Sequence, residues 1–293
     1  MRTSTTSLGS RYEGYWYIAV PMVLVIAIII VPFGQAIYYS FTKFSAMSPP
    51  VWVGLHNYAK LLDTPLFLSS IKNNALIALA SPLFVFLPLV LAATLFRYRD
   101  GWTTTARMTV LLPYALSMTV VGVMFRSFLW TKGPLNELLT RLGLERFALD
   151  WLGDQTLGLL IIIGVALWKD FGWYVMVYIA GLSTISRDLF DSARVDGANA
   201  VQQFVHIIVP GLNAIIVLVT TLVLIADFRA MFDYVFNLTR GGPGYATYTV
   251  EFLLYREAFN FFRFGFACSL GVVMFVIIFG FSFFQIRIMS RNI

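Results

Sequence analysis

The sequence predicts an all-helical, polytopic membrane protein with six transmembrane helices. Three observations carry that expectation. First, 59% of the 293 residues are hydrophobic and only 12% are charged, with a mean hydropathy of +0.78. A soluble domain carries roughly 25% charged residues, so this chain cannot clothe an ordinary water-facing surface. Second, apolar runs long enough to cross a bilayer recur along the chain, at about 20 residues and 1.5 Å of rise each. Third, basic residues crowd one short link and the C-terminal tail, as they do at a cytoplasmic membrane face.

The first span is expected at 17–39, inside the charge-free stretch between Glu13 and Lys43. Its length, Pro21 and Pro32, and the missing small-residue cleavage site distinguish it from a signal peptide, so it reads as an uncleaved helix. Residues 42–70 form a polar outer loop with Pro49-Pro50, Gly54 and a short helix near 57–62. Span two covers 75–96, with Pro82 and Pro88 inside it, which a helix bundle tolerates. Arg97, Arg99 and Arg107 then crowd the link to span three. That basic link places both termini in the cytoplasm. Span three covers 108–130, where Arg126 reads as an anchor reaching the interface. An outer loop at 131–155 follows, then span four at 156–183 and span five at 207–228, with Pro210 able to start the latter. An outer loop at 230–262 precedes span six at 264–286 and the basic tail Arg287 to Arg291. The whole of 1–293 reads as one transmembrane domain.

The composition also excludes classes. A formal charge of +6 in so apolar a chain reads as cytoplasmic-face lysines and arginines among membrane lipids, not as a nucleic-acid footprint. The single cysteine, Cys268, allows no intramolecular disulfide and no multi-cysteine metal site, and reads as a small packing residue. No G-x-x-x-x-G-K-[ST], H-E-x-x-H or G-x-S-x-G occurs, and His56 and His206 stand far apart. The chain therefore reads as non-catalytic, with no metal and no nucleotide site of its own.

Charged residues deep in a span face a cavity or a partner, because lipid does not solvate them. Lys169 and Asp170 lie near the middle of span four. Adjacent helical residues do not share a face, so the two are expected to point at different neighbours. Trp168, Trp173 and Tyr174 surround them. Aromatic faces can cover the apolar faces of sugar rings while polar groups bind hydroxyls, so this set is a candidate lining for a substrate path. Thr220, Thr221 and Asp227 of span five are candidates for the same path. The competing expectation is a structural ion pair between Lys169 and Asp227.

Between spans four and five lies a polar interruption of a kind that membrane spans avoid. The stretch 181–198 reads Gly-Leu-Ser-Thr-Ile-Ser-Arg-Asp-Leu-Phe-Asp-Ser-Ala-Arg-Val-Asp-Gly-Ala, and Phe204, Ile207, Val209 and Pro210 follow. It resembles the "EAA" loop of permease subunits in binding-protein-dependent ABC importers. Ala193, Gly197, Ile207 and Pro210 match that pattern. Asp191 stands for its Glu, Ser192 for its first Ala and Val209 for its Leu. A second stretch, 232–244, reads Phe-Asp-Tyr-Val-Phe-Asn-Leu-Thr-Arg-Gly-Gly-Pro-Gly. It is similar to the loop before the last helix in maltose-type carbohydrate permeases, a group that includes glycerol-phosphate permeases. Residues 255–259, 264–267, 54–58 and Asn73-Asn74 continue that likeness. Asp227 departs from the family pattern, where a small or neutral residue is usual.

The resemblance implies a type I ABC importer transmembrane-domain fold and a carbohydrate or glycerol-phosphate-type cargo moved into a bacterial cell. It implies four kinds of partner: a second, homologous permease chain, two cytosolic ABC ATPases that carry the ATP and Mg, an extracytoplasmic solute-binding protein, and lipid. The loop at about 183–206 would dock the ATPase. Leu189 and Phe190 would form the centre of that patch. Asp191, Arg194 and Asp196 would form its charged rim, Ala193, Gly197 and Ala198 would allow close approach, and Ser192 belongs to the same docking set. Asn237, Thr239, Gly241, Gly242, Pro243 and Gly244 would face the binding protein. The rival expectation is a secondary transporter driven by an ion gradient, with Lys169, Asp170 and Asp227 as its coupling site. Six spans without an internal repeat argue against it.

Overall fold

The computed structural model describes residues 9–98 and 101–289, so Arg99 of the basic link and Arg291 of the tail lie outside the described residues. The chain forms two compact units, Met1–Asp63 with Leu254–Phe275 and Thr64–Leu253 with Val276–Ile293. Among the described residues, four helices are long and apolar enough to cross a membrane, and the number rises to six if each of two bent helix pairs is one span.

In the first unit, α1 (Gly9–Val25) passes through a π-turn (Ile26–Ile30) into α2 (Val31–Ser40). The turn has a local cause. Pro32 has no N–H to give residue 28, and its ring crowds that carbonyl, so the backbone widens by one residue just before it. A short hairpin, β1 (Thr42–Ser45) with β2 (Ser48–Trp52), occupies the expected loop. Pro49 and Pro50 sit in β2, where a two-stranded ribbon has an edge that needs no donor. Helix α3 (His56–Leu62) appears where a short helix was expected. Asn57 Nδ2 donates to the carbonyls of Ser40 (2.8 Å) and Thr42 (2.9 Å), tying α3 to the end of α2.

The second unit opens with α4 (Pro65–Arg97), which starts five residues before the expected loop ends. Thr64 is extended and Pro65 occupies the first turn, where its missing N–H costs nothing. Pro82 and Pro88 lie inside α4 without breaking it.

The expected third span is not continuous. It divides into α5 (Gly101–Ala115) and α6 (Met118–Phe128), bent by 94°. Pro113 weakens the end of α5, and extended Ser117 caps α6 by accepting from Val120 N at 3.3 Å. After α7 (Pro134–Arg141), α8 (Leu157–Leu182) matches the fourth span to within a residue at each end. It packs on α4 and α5.

The cytosolic stretch forms α9 (Arg187–Val195) and α10 (Ala200–Gln203). A π-turn (Phe204–Ile208) and α11 (Val209–Gly211) lead to α12 (Asn213–Arg229) at a 75° bend. Pro210 therefore does not start the fifth span. It sits in α11, and Leu212 leaves helical geometry before α12 begins. The outer stretch is also more ordered than a loop, holding α13 (Met231–Leu238) and α14 (Val250–Tyr255). The last helix is α15 (Phe264–Met289).

Close backbone approach holds the second unit together. A Cβ on Gly172 of α8 would overlap the carbonyl of Val110 and the Cα of Leu111 in α5. Small interface residues permit this contact where lipid supplies little hydrophobic drive between helices. Ile77, Leu89, Ile162, Leu182 and Val219 are fully buried around the same α4–α8–α12 packing.

Candidate functional site

Every candidate residue named from the sequence lies between 168 and 244, inside the second unit. The structure sorts them into three places.

The cytosolic loop is built from local signals. Ser186 caps α9 by accepting from Asp188 N at 3.3 Å. Helix α9 ends in a Schellman turn. Gly197 N donates to Arg194 O (3.1 Å), and Ala198 N donates to Ala193 O (2.8 Å). Gly197 sits at φ 78°, the left-handed region that glycine occupies freely. A Cβ there would meet nothing within 4 Å of this chain. Close packing within the chain is therefore not what Gly197 provides; the turn geometry requires it. Asn199 then opens α10 with a capping box, its side chain and that of Gln202 each accepting from the other's backbone N–H. Asp191 pairs with Arg194 across one helical turn at 2.7 Å.

This short helix presents Leu189 (55% exposed) and Val195 (88% exposed) to solvent, with Asp191, Ser192, Asp196 and Gly197 also exposed and Phe190, Ala193 and Ala198 half-buried. Between α9 and the end of α4 lies a cavity of about 730 Å³, lined in part by Arg97, Arg187, Phe190, Arg194 and Phe204.

The second place is the middle of α8. Its side chains divide between two faces. Lys169 and Trp173, one turn apart, face α5. Lys169 Nζ donates to the Tyr114 carbonyl at 3.2 Å and stands 5.2 Å from the centre of the Tyr114 ring. Trp173 stacks on the same ring at 5.2 Å and 15°, and Trp168 meets Phe125 of α6 edge-on. On the other face Asp170 accepts from Tyr234 Oη of α13 at 2.7 Å, and Tyr174 is buried.

Asp227, 2% exposed, accepts a 2.5 Å hydrogen bond from Ser81 Oγ of α4. The expected Lys169–Asp227 pair is absent among the described residues, because each group is committed elsewhere. Thr220 and Thr221 donate to the carbonyls of Ile216 and Val217 in their own helix.

The third place is the outer stretch. Asn237 is not in a loop. It belongs to α13, donates to Asp233 O, and lies against Gly122 of α6 so tightly that a Cβ on that glycine would overlap it. Gly241 is buried, at φ 84°, against the rings of Tyr248 and Phe252. It shapes the turn and does not contribute surface. Thr239 hydrogen-bonds Thr247 at 2.7 Å across the turn, leaving Gly244 and Tyr245 at the exposed tip.

Five residues that sequence reasoning did not assign hold these places: Ser81, Tyr114, Tyr234 and the pair Asn73-Asn74. Asn73 Nδ2 donates to the carbonyls of Ala246 and Tyr248, both at 2.8 Å. Asn74 accepts from Val250 N (2.9 Å) and donates to Glu251 Oε1 (2.9 Å). Burial pushes the Glu251 carboxyl up to about 7. Two consecutive asparagines inside an apolar helix were the available signal, since such amides are kept only where they have partners. Ser81 and Tyr114 carry no comparable signal, because single hydroxyls are common in spans.

Helices long and apolar enough to span a bilayer, two bent helix pairs, a capped polar loop and a polar cluster within α8 define a polytopic membrane protein. No protein-family model matches the chain. A probable ABC transporter permease of Bacillus subtilis, YurN, is 33% identical over 273 residues, covering 92% of this chain and 93% of that one. The sulfoquinovosyl glycerol transport permease SmoG of Agrobacterium fabrum is 31% identical over 281 residues, covering 94% and 89%. Among solved structures, a bacterial ABC transporter that imports the acidic polysaccharide alginate matches with a TM-score of 0.84 and 25% identity over 96% of each chain. The chain belongs to the sugar-transport permeases of ABC transporters. It is a multi-pass, non-catalytic membrane subunit with the ABC importer transmembrane fold.

Proposed function

We propose that residues 1–293 form one permease domain, one half of an ATP-driven importer that carries an oligosaccharide-class carbohydrate across a bacterial cytoplasmic membrane. A homologous permease supplies the other half. Both termini and the loop at 183–206 lie on the cytoplasmic side, where two ATPase subunits dock. The observation that carries this reading is α9. It is a short amphipathic helix, rigidly capped at both ends by its own residues, whose apolar Leu189 and Val195 face solvent. A helix this short is marginal alone, so its two stops serve to hold a shape for a partner. Leu189 and Phe190 would enter a cleft on the ATPase, with Asp191, Ser192 and Asp196 at the rim and Ala193, Gly197 and Ala198 beneath. ATP-driven closure of the ATPases would draw the two permease loops together and reorient the spans.

On the outer side, Thr239, Gly242, Pro243 and Gly244 would meet the solute-binding protein, with Gly241 and Asn237 supporting them from behind. Trp168, Lys169, Asp170, Trp173 and Tyr174 would line or shape the path. Asp227, Thr220 and Thr221 act behind that lining, since their polar atoms are engaged within the bundle. The relatives' cargoes, sulfoquinovosyl glycerol and alginate, support a sugar derivative as cargo.

The test is uptake in vesicles holding the complete transporter, under an uncoupler and, separately, without ATP. Uptake that survives the uncoupler and stops without ATP is the expected result. The reverse would establish an ion-coupled carrier. Affinity-tagged protein is expected to bring down an ATPase from membranes.

A further inference from the structure

We infer that Lys169 is a substrate-selecting cation and that the carbohydrate this permease admits carries an anionic group, a carboxylate or sulfonate. The inference rests on the import reading above and narrows its substrate class.

Depth separates Lys169 from both ends of its helix. Lys169 lies 12 residues from the start of α8 and 13 from its end, so its Cα is about 18–20 Å from either terminus along the helix. That distance exceeds the reach of a four-carbon stem, so the ammonium cannot snorkel to an interface. A lysine at the centre of a span costs roughly 3 kcal/mol on insertion scales, which is why such residues face a cavity or a partner.

What the chain offers this cation is a carbonyl and a ring face, not a carboxylate in contact. Helix α5 ends at Ala115, so the Tyr114 carbonyl is among its last four, which have no partner within the helix. Lys169 Nζ donates to it. A cation at a helix C-terminus contributes about 0.3–1 kcal/mol, and the Tyr114 ring adds about 0.5–2. No carboxylate lies within 4.0 Å of the ammonium among the described residues. The nearest in sequence, Asp170, acts on Lys169 only through space, because it projects to another face and accepts from Tyr234. Asp227 is buried with Ser81. Two of the three ammonium donors are thus left for a ligand.

The surroundings suit a sugar acid. Tyr114 (40% exposed), Trp173 (41%) and Trp168 (39%) leave ring surface uncovered beside the ammonium. A pyranose ring can lie on such a surface while its acidic substituent meets Lys169. A neutral sugar would need only hydroxyl partners, which Ser, Thr or Asn supply without the cost of a charge. An anionic group returns the missing counter-charge as a charge-assisted contact.

The complete transporter, with its second permease, ATPases and binding protein, is reconstituted in vesicles for the test. ATP-driven uptake is measured for digalacturonate, dimannuronate and a 6-sulfonated maltose, and for the neutral parents galactobiose, mannobiose and maltose. At least one acidic sugar is expected to enter, and its neutral parent to enter about tenfold more slowly or not at all. Lys169→Gln is expected to lower acidic uptake about tenfold or more, and Lys169→Arg to restore most of it. Neutral sugars entering as fast as acidic ones, with Lys169→Gln unchanged, would overturn the inference and leave the import reading standing. Loss of co-purification with the second permease in Lys169→Gln would also overturn it, by making the lysine an intersubunit contact. Uptake of none of the three acidic sugars would likewise overturn the inference, while the import reading stands or falls on the ATP and uncoupler measurement.

Discussion

The loop at 183–206 and the middle of α8 are both polar interruptions in an apolar chain, and they are built in opposite ways. The loop is local. Ser186 and Gly197 close the two ends of α9, and Asn199 with Gln202 opens α10, all through bonds spanning two to five residues, and nothing distant is required to give the loop shape. The α8 cluster is entirely non-local. Lys169 reaches Tyr114, 55 positions away, and Asp170 reaches Tyr234, 64 positions away. Asp227 reaches Ser81 across 146 positions. A surface that must fit another protein can be encoded by its own segment. A surface inside a bilayer must be assembled, because water is absent there and the charged side chains of this cluster find their partners on other helices.

That contrast is broken most readily at Gly172. Replacing it with Val places carbon into the backbone of Val110 and Leu111, so α5 must move away from α8. A loss of about 3 kcal/mol or more is expected, read as a fall in the unfolding temperature in detergent, together with loss of transport. Unchanged stability would mean that the α5–α8 contact does not organise the cluster.

Next in size is the Ser81–Asp227 bond. Removing either partner leaves the other buried and unsatisfied, at about 1–3 kcal/mol. Asp227→Asn, which keeps an acceptor, is expected to cost less than Asp227→Ala. A double-mutant cycle that returns no coupling would deny the pair its structural role.

Gly197 sharpens the other side of the comparison. Gly197→Leu forces a branched side chain to φ 78°, at about 1–2 kcal/mol. Membrane insertion should be normal, because the effect is confined to one turn, while coupling of ATPase to uptake is lost. Gly197→Asn, which tolerates this region, should retain more activity than Gly197→Leu; the opposite ranking would mean that contact with a partner, and not backbone geometry, selects glycine.

A gentler probe is pH at the outer turn. Glu251 ionises near 7 in the fold, above its ordinary value of 4.5. The unfolded segment therefore releases its proton first. Because burial favours the neutral carboxyl, the stability of the turn is full below about pH 4.5, falls by at most about 1.4 kcal/mol per pH unit up to about 7, and is flat above that. Hydrogen exchange of the 241–250 amides should follow this curve, and Glu251→Gln should abolish it. The smallest effect is reserved for Asp191→Asn. Its ion pair with Arg194 is exposed, so helix stability should change by less than about 0.5 kcal/mol, and any larger defect in ATPase association belongs to the docking contact.

Much of the loop was legible from the sequence because its determinants are adjacent. A serine before α9, a glycine after it and Asn199 with Gln202 are stop and start signals in their own right. The spans were legible as apolar length, and α8 matches its expected bounds closely. The two bends were not, because Pro113 and Pro210 are compatible with either a kinked or a broken helix, and only packing chooses. The turn at 241–250 was read as exposed glycines. Its inner half is in fact buried, because Tyr248 and Phe252 fold back onto Gly241.

What the sequence alone determined is the class of solvent. Its scarcity of charge and its runs of apolar residues require a bilayer, and its one polar, glycine-stopped stretch requires a partner outside it. What only the tertiary structure decided is the destination of each buried charge. Asp227 was free to pair with Lys169 by composition and depth. The packing of α4 against α12 gave it Ser81 instead and left Lys169 with the open carbonyl of a broken helix. The physical reason is reach. A hydrogen bond acts over about 3 Å, so which polar groups meet is set by which helices touch, and helix contact is a property of the whole bundle.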